Sequence, residues 1–365
     1  MLDLDQLLRE AVDRGASDIH VKVGSPPCIR VDGHLQRTGH PGVTPEETER
    51  IAFAIMPKPR AEQFIVSSEA DFAYAVAGLG RFRVNVMRQR GSVGLVLRRV
   101  QSEIPSFEAL GLPTSVRRLT EHQRGLVLVT GPTGSGKTTT LGTMIDHINE
   151  QYEKHIVTIE DPIEILHPDK RSIVNQREVG ADTADFGSAL KRVLRQDPDV
   201  ILVGEMRDSE TVRTALAAAE TGHLVFSTLH TISATDAINR IIDFFPPYEQ
   251  RQVRMSLAAS LRGIVSQRLV ERRGGGRAAA VEVLVATGRV FDKIIRPEET
   301  HEIEELIAEG SYYGMQTFDQ HLLALYRDGA IELRDALAAS TNPHDLRLQI
   351  EHQTMADASL ATPAP

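Results

Sequence analysis

The stretch GLVLVTGPTGSGKTTT, residues 125–140, decides the fold of this chain. Residues 126–129 are an unbroken apolar run, typical of a strand buried on both faces of a parallel sheet. A glycine-rich segment follows and ends in Lys137-Thr138, at the spacing G-x-x-x-x-G-K-[ST] of a phosphate-binding loop. A glycine-rich loop that binds nothing is the alternative, but the order of strand, loop, Lys-Thr and helix argues against it.

The residue types in this loop predict how it would bind ATP. Its glycines let the backbone turn sharply and bring N–H groups close to an anion, and the next helix directs its N-terminal dipole at the same place. Lys137 is expected to reach the β- and γ-phosphates, and the Thr138 hydroxyl to ligate Mg²⁺. The predicted nucleotide-binding residues are Gly131, Pro132, Thr133, Gly134, Ser135, Gly136, Lys137, Thr138 and Thr139.

Composition narrows the class of protein. The chain has 365 residues, 41% of them hydrophobic, which fits two domains better than one. No apolar run approaches the ~20 residues that span a bilayer, and the acidic, amphipathic N-terminus does not look like a signal peptide. We therefore expect a cytoplasmic protein without membrane insertion. A lone Cys28 provides neither an internal disulfide nor a cysteine zinc site, and a net charge of −9 disfavours a general nucleic-acid partner.

Hydrophobic periodicity divides the chain into four regions. Residues 1–100 are predicted to form a small α+β domain with an antiparallel sheet, residues 101–113 a linker, residues 114–350 an α/β domain with a mostly parallel sheet and a helical C-terminal region, and residues 351–365 a disordered tail. Asp32-Gly33 is expected to close a hairpin, and Thr44 to Glu47 form a capping box. In the second domain, strands are expected at 155–160, 200–203 and 223–229, and helices at 233–244 and 247–268.

Polar side chains end three of the predicted parallel strands, and such strand ends meet at one edge of a sheet. Glu205 follows the apolar run 200–203, a Walker B pattern, and is expected to hold Mg²⁺ directly or through a water. Glu160 is the candidate for orienting or deprotonating the attacking water. The alternative for either glutamate is a helix cap or a surface ion pair.

Two histidines bracket the strand 223–229. His223 and His230 are seven residues apart, so their side chains lie on opposite faces and are not expected to ligate one metal together. His230, at the strand's end, is positioned to hydrogen-bond the γ-phosphate. A structural role is the alternative for both.

An arginine row is predicted on the N-terminal sheet. Strand alternation over residues 81–86 puts Phe82 and its apolar neighbours on one face and Arg81 and Arg83 on the other. The next strand ends in Arg98-Arg99. A solvated surface is the alternative interpretation of such a row.

Five motifs together resemble the secretion-superfamily ATPases, the hexameric motors of type IV pili and type II secretion. These motifs are TGPTGSGKTTT, TIEDPIE (158–164), VNQREV (174–179), LRQDPDVILVGEMRD (194–208) and TGHLVFSTLHT (221–231). The segments ASDIHVKVGSPPCIRVDG (16–33), RFRVNV (81–86) and GMQTFD (314–319) make the chain most similar to the PilT-type pilus retraction ATPases. The resemblance covers about residues 1–330.

The resemblance implies a PAS-like N-terminal domain, a RecA-like ATPase domain and a homo-hexameric ring. It also implies an inner-membrane platform protein as partner, through which the ring associates peripherally with the membrane. It implies that Glu160 is the catalytic glutamate, Glu205 the Walker B acid and His230 the His-box sensor. The family contacts the γ-phosphate through two N-terminal arginines fifteen residues apart, a spacing that Arg83 and Arg98 match.

Two positions depart from the family's pattern. A second arginine pair of the family corresponds to Arg195 and to Lys191, and a lysine keeps the charge but loses the planar fork. Residues 288–296 keep only the apolar spacing and the final Ile-Arg of a segment that retraction requires in the family.

Three other functions remain open from sequence. A pilus-assembly or type II secretion ATPase usually carries a four-cysteine zinc insertion, which the single cysteine disfavours. A RecA-like nucleic-acid translocase needs basic grooves and stacking rings, which the negative charge and few aromatics disfavour. The third is a weakly hydrolysing accessory retraction ATPase.

Overall fold

The computed structural model describes residues 2–31, 33–100 and 103–360, the last eight of these by their backbone alone. The chain forms two compact units, Met1–Glu103 with Glu164–Leu166, and Ile104–Ile163 with His167–Pro365. The division after Glu103 falls inside the predicted linker 101–113, whose first two residues lie outside the described part. Asp32 of the predicted hairpin turn also lies outside it.

The N-terminal unit is an antiparallel sheet with helices packed on one face. Its strands run in the order β3-β2-β1-β6-β5-β4. In chain order the elements are α1 Leu4–Asp13, β1 Asp18–Val21, β2 Cys28–Val31, β3 His34–Arg37, α2 Pro45–Ile55, α3 Lys58–Ser67, β4 Glu69–Val76, β5 Gly80–Gln89 and β6 Ser92–Arg99.

Side-chain alternation along β5 builds the core of this unit, as predicted. Phe82, Val84 and Val86 are fully buried, whereas Arg83 on the other face is exposed. The predicted capping box is also present, because Thr44 Oγ1 accepts the backbone N–H of Glu47 and the Glu47 carboxylate accepts the backbone N–H of Thr44.

The second unit is an α/β domain. Its elements are α4 Phe107–Leu110, α5 Thr114–Arg118, β7 Gly125–Thr130, α6 Lys137–Gln151, β8 His155–Glu160, β9 Ile173–Glu178, α7 Phe186–Val193, β10 Val200–Val203, α8 Ser209–Glu220, β11 Leu224–Leu229, α9 Ala234–Asp243, α10 Pro247–Ser260, β12 Leu261–Glu271, β13 Arg277–Val285, α11 Gly288–Ile295, α12 Ile303–Glu309, α13 Phe318–Arg327, α14 Leu333–Ala339 and α15 Pro343–Leu360. Short 3₁₀ turns occupy Leu119–Glu121, Pro297–Glu302 and Gly310–Tyr313.

The sheet of this domain has the order β13-β12-β7-β11-β10-β8-β9. All neighbouring strands pair in parallel except β12 and β13, which form an antiparallel hairpin through Gly274–Gly276. Every residue of β7, β10 and β11 is buried, in keeping with the apolar runs 126–129, 200–203 and 224–226 that they contain. Because β7, β11, β10 and β8 are neighbours, the segments that follow them emerge side by side.

The structure corrects the prediction of one helix over 247–268. α10 ends at Ser260, and Leu261 begins β12, which inserts between β7 and β13. Residues 261–270 alternate apolar and polar side chains ambiguously, and pairing with two long strands on either side overrides their helical propensity.

Two further elements, and the length of a third, were not predicted. α3 and the edge strand β9 have no counterpart among the predicted elements. α15 continues through Leu360, whereas a disordered tail was expected from residue 351, and residues 361–365 lie outside the described part. Of the helices in that part, none combines the length and apolar character needed to cross a bilayer.

Candidate nucleotide-binding and catalytic site

The phosphate-binding loop joins β7 to α6. Gly131, Gly134 and Gly136 adopt φ angles of 146°, 80° and 91°, a region open to glycine and strained for other residues. A Cβ atom at Gly131 would lie 2.4 Å from the carbonyl oxygen of Gln267 and 2.6 Å from Oγ of Ser135. The loop therefore packs so closely on β12 that only glycine fits at its first position.

Lys137 is buried at the start of α6. Its Nζ donates hydrogen bonds to the carbonyl oxygens of Gly131, at 2.7 Å, and Pro132, at 3.0 Å. The ammonium group is thereby held against the loop, beside the N-terminal end of a long helix, where both charges favour an anion. Thr138, in the first turn of that helix, is exposed, and Thr139 is half-buried.

The donor set fits a nucleoside triphosphate with Mg²⁺. Ser135 Oγ is buried and has no hydrogen-bond partner within the described part of the chain, so a polar group at the loop would satisfy it. Thr138 and Glu205 offer the oxygen atoms that Mg²⁺ prefers. The described residues contain no cluster of three or more His, Cys, Asp or Glu placed to hold a metal ion.

Glu160 is the last residue of β8 and is 8% exposed. Its Oε1 accepts hydrogen bonds from Oγ1 of Thr158, at 2.6 Å, and Nε2 of Gln176, at 3.1 Å. These two donors fix the rotamer of the carboxylate and offset part of the free-energy cost of burying its charge. Gln176 lies on β9, in the motif VNQREV, which gives this motif a physical role.

Glu205 and His230 meet at the carboxyl edge of the sheet, as predicted from the strand ends. His230 Nε2 lies 3.3 Å from Oε1 of Glu205. The other oxygen of Glu205 accepts hydrogen bonds from the Arg207 guanidinium, whose pKa is raised by that bond and by the negative charge. Thr228 on β11 donates a hydrogen bond of 2.6 Å to the carbonyl oxygen of Gly204, which holds the two strand ends together.

His223 lies just before β11, at the opposite end of that strand from His230. Its Nδ1 atom is 3.0 Å from the carbonyl oxygen of Ala218, at the end of α8. This contact agrees with the structural alternative for His223, and the two histidines do not share a site.

Arg83 and Arg98 are cross-strand partners on β5 and β6. Nε of Arg98 donates a hydrogen bond of 2.7 Å to the buried carboxylate of Asp18 on β1, and Arg30 on β2 lies 3.9 Å from the same carboxylate. Burial raises the pKa of Asp18, but hydrogen bonds from Ser17 and Arg98 outweigh it and lower the pKa. The sheet thus presents the two predicted arginines from one face, and their approach to a nucleotide remains a prediction.

Arg195 follows α7, which ends at Val193, and its backbone N–H bonds the carbonyl oxygen of Arg192. Lys191 on α7 forms an ion pair with Glu210. The role of Arg195 at the γ-phosphate stays a prediction.

The divergent segment 288–296 forms the helix α11. Val290 and Ile294, two of the apolar positions that match the family's spacing, are buried, whereas Arg289 is exposed and pairs with Glu309 at 3.7 Å. The segment keeps its helical form despite its altered sequence.

Sequence reasoning missed three residues of the site. Arg207, Gln176 and Gln267 contact Glu205, Glu160 and the phosphate loop respectively. Arg207 and Gln176 stand inside the quoted motifs, so their motif membership was the signal available. Gln267 lay in the segment predicted as a helix.

Comparisons with known proteins agree with this geometry. The family model of type II/IV secretion system proteins matches residues 1–337. The type IV pilus retraction ATPase PilT of Pseudomonas aeruginosa is 44% identical over 94% of this chain and 100% of its own length. The type IV pilus ATPase PilU of the same organism is 44% identical over 98% of this chain and 94% of its own length. A crystal structure of the pilus retraction motor PilT with bound ADP superposes with a TM-score of 0.87, at 48% identity, over 95% of this chain and 99% of that one.

These matches confirm the resemblance inferred from the motifs and the predicted architecture, a RecA-like ATPase domain preceded by a smaller α+β domain. The chain belongs to the type II/IV secretion system protein family and is a P-loop ATPase of the pilus-retraction type.

Proposed function

We propose that this chain assembles as a homo-hexameric ring that hydrolyses ATP to power the retraction of type IV pili. The observation that carries the proposal is the convergence of Glu160, Glu205 and His230 beside the phosphate loop, on four neighbouring strands. The 44% sequence identity to the pilus retraction ATPase PilT and to the pilus ATPase PilU supports the cellular role.

In this proposal the phosphate loop and Lys137 bind the triphosphate. Thr138 and, through a water, Glu205 hold Mg²⁺, which when bound supplies positive charge to the phosphates. Glu160, which Thr158 and Gln176 hold in place, accepts the proton of the attacking water. His230 donates a hydrogen bond to the γ-phosphate, so that its contact with Glu205 changes with the state of the nucleotide.

Arginines from outside this constellation complete the site. Arg83 and Arg98 of an N-terminal domain and Arg195 of a neighbouring ATPase domain are proposed to stabilise the charge that develops on the γ-phosphate. Coupling of these contacts to domain closure would let the ring do mechanical work. The ring would act in the cytoplasm on an inner-membrane platform protein, associated peripherally with the membrane and without nucleic acid.

The test of hydrolysis is a glutamate exchange. Glu160→Gln removes the base and keeps the size, so turnover is expected to fall by about 10²–10⁴ while a fluorescent ATP analogue still binds. Glu153→Gln, an exposed carboxylate paired with Arg171, is the matched control and should hydrolyse normally. Normal turnover by the Glu160 variant would disprove the assignment of the base.

The test of the cellular role is deletion of the gene. Abundant pili on cells that cannot move over a surface would support retraction, whereas cells without pili would support assembly.

A second candidate is an accessory retraction ATPase that turns over slowly. The type IV pilus ATPase PilU and the retraction ATPase PilT match this chain at the same identity, 44%, so this alternative stays open beside the first. The turnover of the purified wild-type protein separates the two, because an accessory subunit would bind ATP and barely hydrolyse it.

A further inference from the structure

A row of buried polar side chains crosses the sheet of the ATPase domain. Thr130 on β7, Ser266 on β12 and Glu282 on β13 are direct partners in the register of three neighbouring strands. Their exposed fractions are 0%, 0% and 6%. The face around them is otherwise the apolar core, with Ile264 and Leu284 next to the row on the same side.

Hydrogen bonds lie at both ends of the row, and strand register joins its middle. Oγ1 of Thr130 donates to Oγ of Ser266 at 3.1 Å, and Ser266 is the register partner of Glu282, whose pKa its hydroxyl lowers. Oε1 of Glu282 accepts the backbone N–H of Ala234 at 2.8 Å. Ala234 is the first residue of α9, so the carboxylate also lies at the positive end of that helix.

The two ends of the row adjoin the two sides of the site. Thr130 directly precedes Gly131, the first residue of the phosphate loop, and Ala234 stands four residues after His230. The register of three strands and the bond from Ala234 to Glu282 therefore connect the loop that binds phosphate to the helix that follows the histidine.

A carboxylate is a poor choice for stability at this place. Burial raises the pKa of Glu282 to about 6, and the negative charge of Glu304 on α12 acts in the same direction, while the N–H of Ala234, Ser266 and Arg268 oppose it. A buried charge costs free energy that an apolar residue would not cost. The position is thus better explained by a requirement of the site than by the strength of the core.

We propose that Glu282 is a positioning residue that, through Ser266 and Thr130, fixes the start of α9 and hence His230 relative to the phosphate loop. The inference rests on the function proposed above for His230. Glu282 does not touch the nucleotide in this scheme; it holds the turn 231–233 in the place from which His230 reaches the γ-phosphate. A displacement of about 1 Å at a reacting group can cost up to 10²-fold in rate.

The experiment measures ATP turnover and ATP affinity in the full-length protein. Glu282→Ala removes the acceptor of the Ala234 N–H and should lower kcat about tenfold or more, with the affinity for a fluorescent ATP analogue changed less than about twofold. Glu282→Gln keeps an oxygen for that N–H and should restore most of kcat. Where the alanine variant does not fold, Ser266→Ala, which removes only the middle hydroxyl, should lower kcat several-fold.

The matched control is His321→Asn. His321 is also buried and polar, and its Nδ1 accepts the N–H of Val281, the residue next to Glu282 on the same strand. Among the described residues His321 has no hydrogen bond to Glu282, Ser266 or Thr130, so its exchange should lower the melting temperature and leave kcat unchanged. If kcat falls in both variants in proportion to their loss of stability, the row is only structural and the proposal is overturned.

A double variant separates this inference from the function on which it rests. If Glu282 acts through His230, Glu282→Ala should cost almost nothing further when His230→Ala is already present. Normal kcat in His230→Ala alone would remove the sensor role and this inference with it. An impaired His230→Ala beside a normal, folded Glu282→Ala would overturn this inference alone.

Discussion

His230 Nε2 lies 3.3 Å from Oε1 of Glu205, although the two residues stand 25 positions apart in the chain. The contact exists because β10 and β11 are parallel neighbours that end at the same edge of the sheet. Arg207 occupies the other oxygen of the same carboxylate. The carboxylate is therefore shared between an arginine and a histidine, and any ligand that draws His230 away alters its balance of charge.

The first prediction concerns His230. His230→Ala should lower kcat for ATP hydrolysis about 10- to 100-fold, because a donor to the γ-phosphate is lost, while ATP binding persists through the phosphate loop. Turnover and binding of a fluorescent ATP analogue measure the two effects. His223→Ala is the control, since the His223 ring bonds the end of α8, at the opposite end of β11 from His230. Equal losses in both variants would contradict a sensor role.

The second prediction concerns the first glycine of the phosphate loop. Gly131→Ala puts a Cβ 2.4 Å from a backbone oxygen of β12, so it should cost about 1–3 kcal/mol of unfolding free energy and abolish ATP binding. Gly134→Ala meets nothing within 4 Å and carries only the strain of its φ angle, about 1–2 kcal/mol. Denaturant unfolding and ATP binding rank the two. If the Gly131 variant is as stable and binds ATP as tightly as the Gly134 variant, the loop relaxes to accommodate the new methyl group.

The third prediction tests the arginine row. Asp18→Asn removes the carboxylate that bonds Arg98 and lies near Arg30. Arg83, Arg98 and Arg30 then have no negative charge between them to offset their repulsion. We expect a loss of about 1–2 kcal/mol in unfolding free energy and a fall in kcat with ATP binding retained. Asp71→Asn, an exposed carboxylate on β4 bonded to Asn85, is the control. Unchanged turnover in a folded Asp18 variant would count against a catalytic use of Arg98.

The fourth prediction is a pH dependence of stability. Burial lowers the pKa of His321 to about 4, against an ordinary value of 6.5, so the folded state favours the neutral ring. The contribution of His321 is therefore complete above pH 6.5 and is lost as the pH falls towards 4. His321→Asn keeps an acceptor for Val281, so the excess stability of the wild type over this variant should shrink by about 3 kcal/mol from pH 7 to pH 4.

Denaturant unfolding over that pH range makes the measurement. His344→Asn, at an exposed position, should follow the wild-type curve. Parallel curves for wild type and the His321 variant would mean that the buried ring does not titrate in this range.

The sequence predicted those parts of the site that depend on local pattern. The loop 131–136, Glu160, Glu205 and His230 could be found because each follows a short apolar run, and parallel strands gather their ends by topology. The resemblance to a known family then assigned their roles.

The parts that failed depend on pairing between distant segments. β12 was mistaken for helix because its partners, β7 and β13, decide its conformation. The row of Thr130, Ser266 and Glu282 could not be foreseen, since 136 residues separate its first bonded pair. Local propensity carries no information on the register that brings such residues together.

The hairpin between β5 and β6 sets which residues of the two strands lie opposite each other. Its turn is two residues, Arg90 and Gly91, with φ angles of 52° and 79°, and Gln89 pairs with Ser92. From that turn, Arg83 and Arg98 come opposite each other by simple counting. A residue inserted within either strand, between the turn and its arginine, would carry that arginine to the apolar side of the sheet, so the two strands must keep equal lengths from the turn to Arg83 and Arg98.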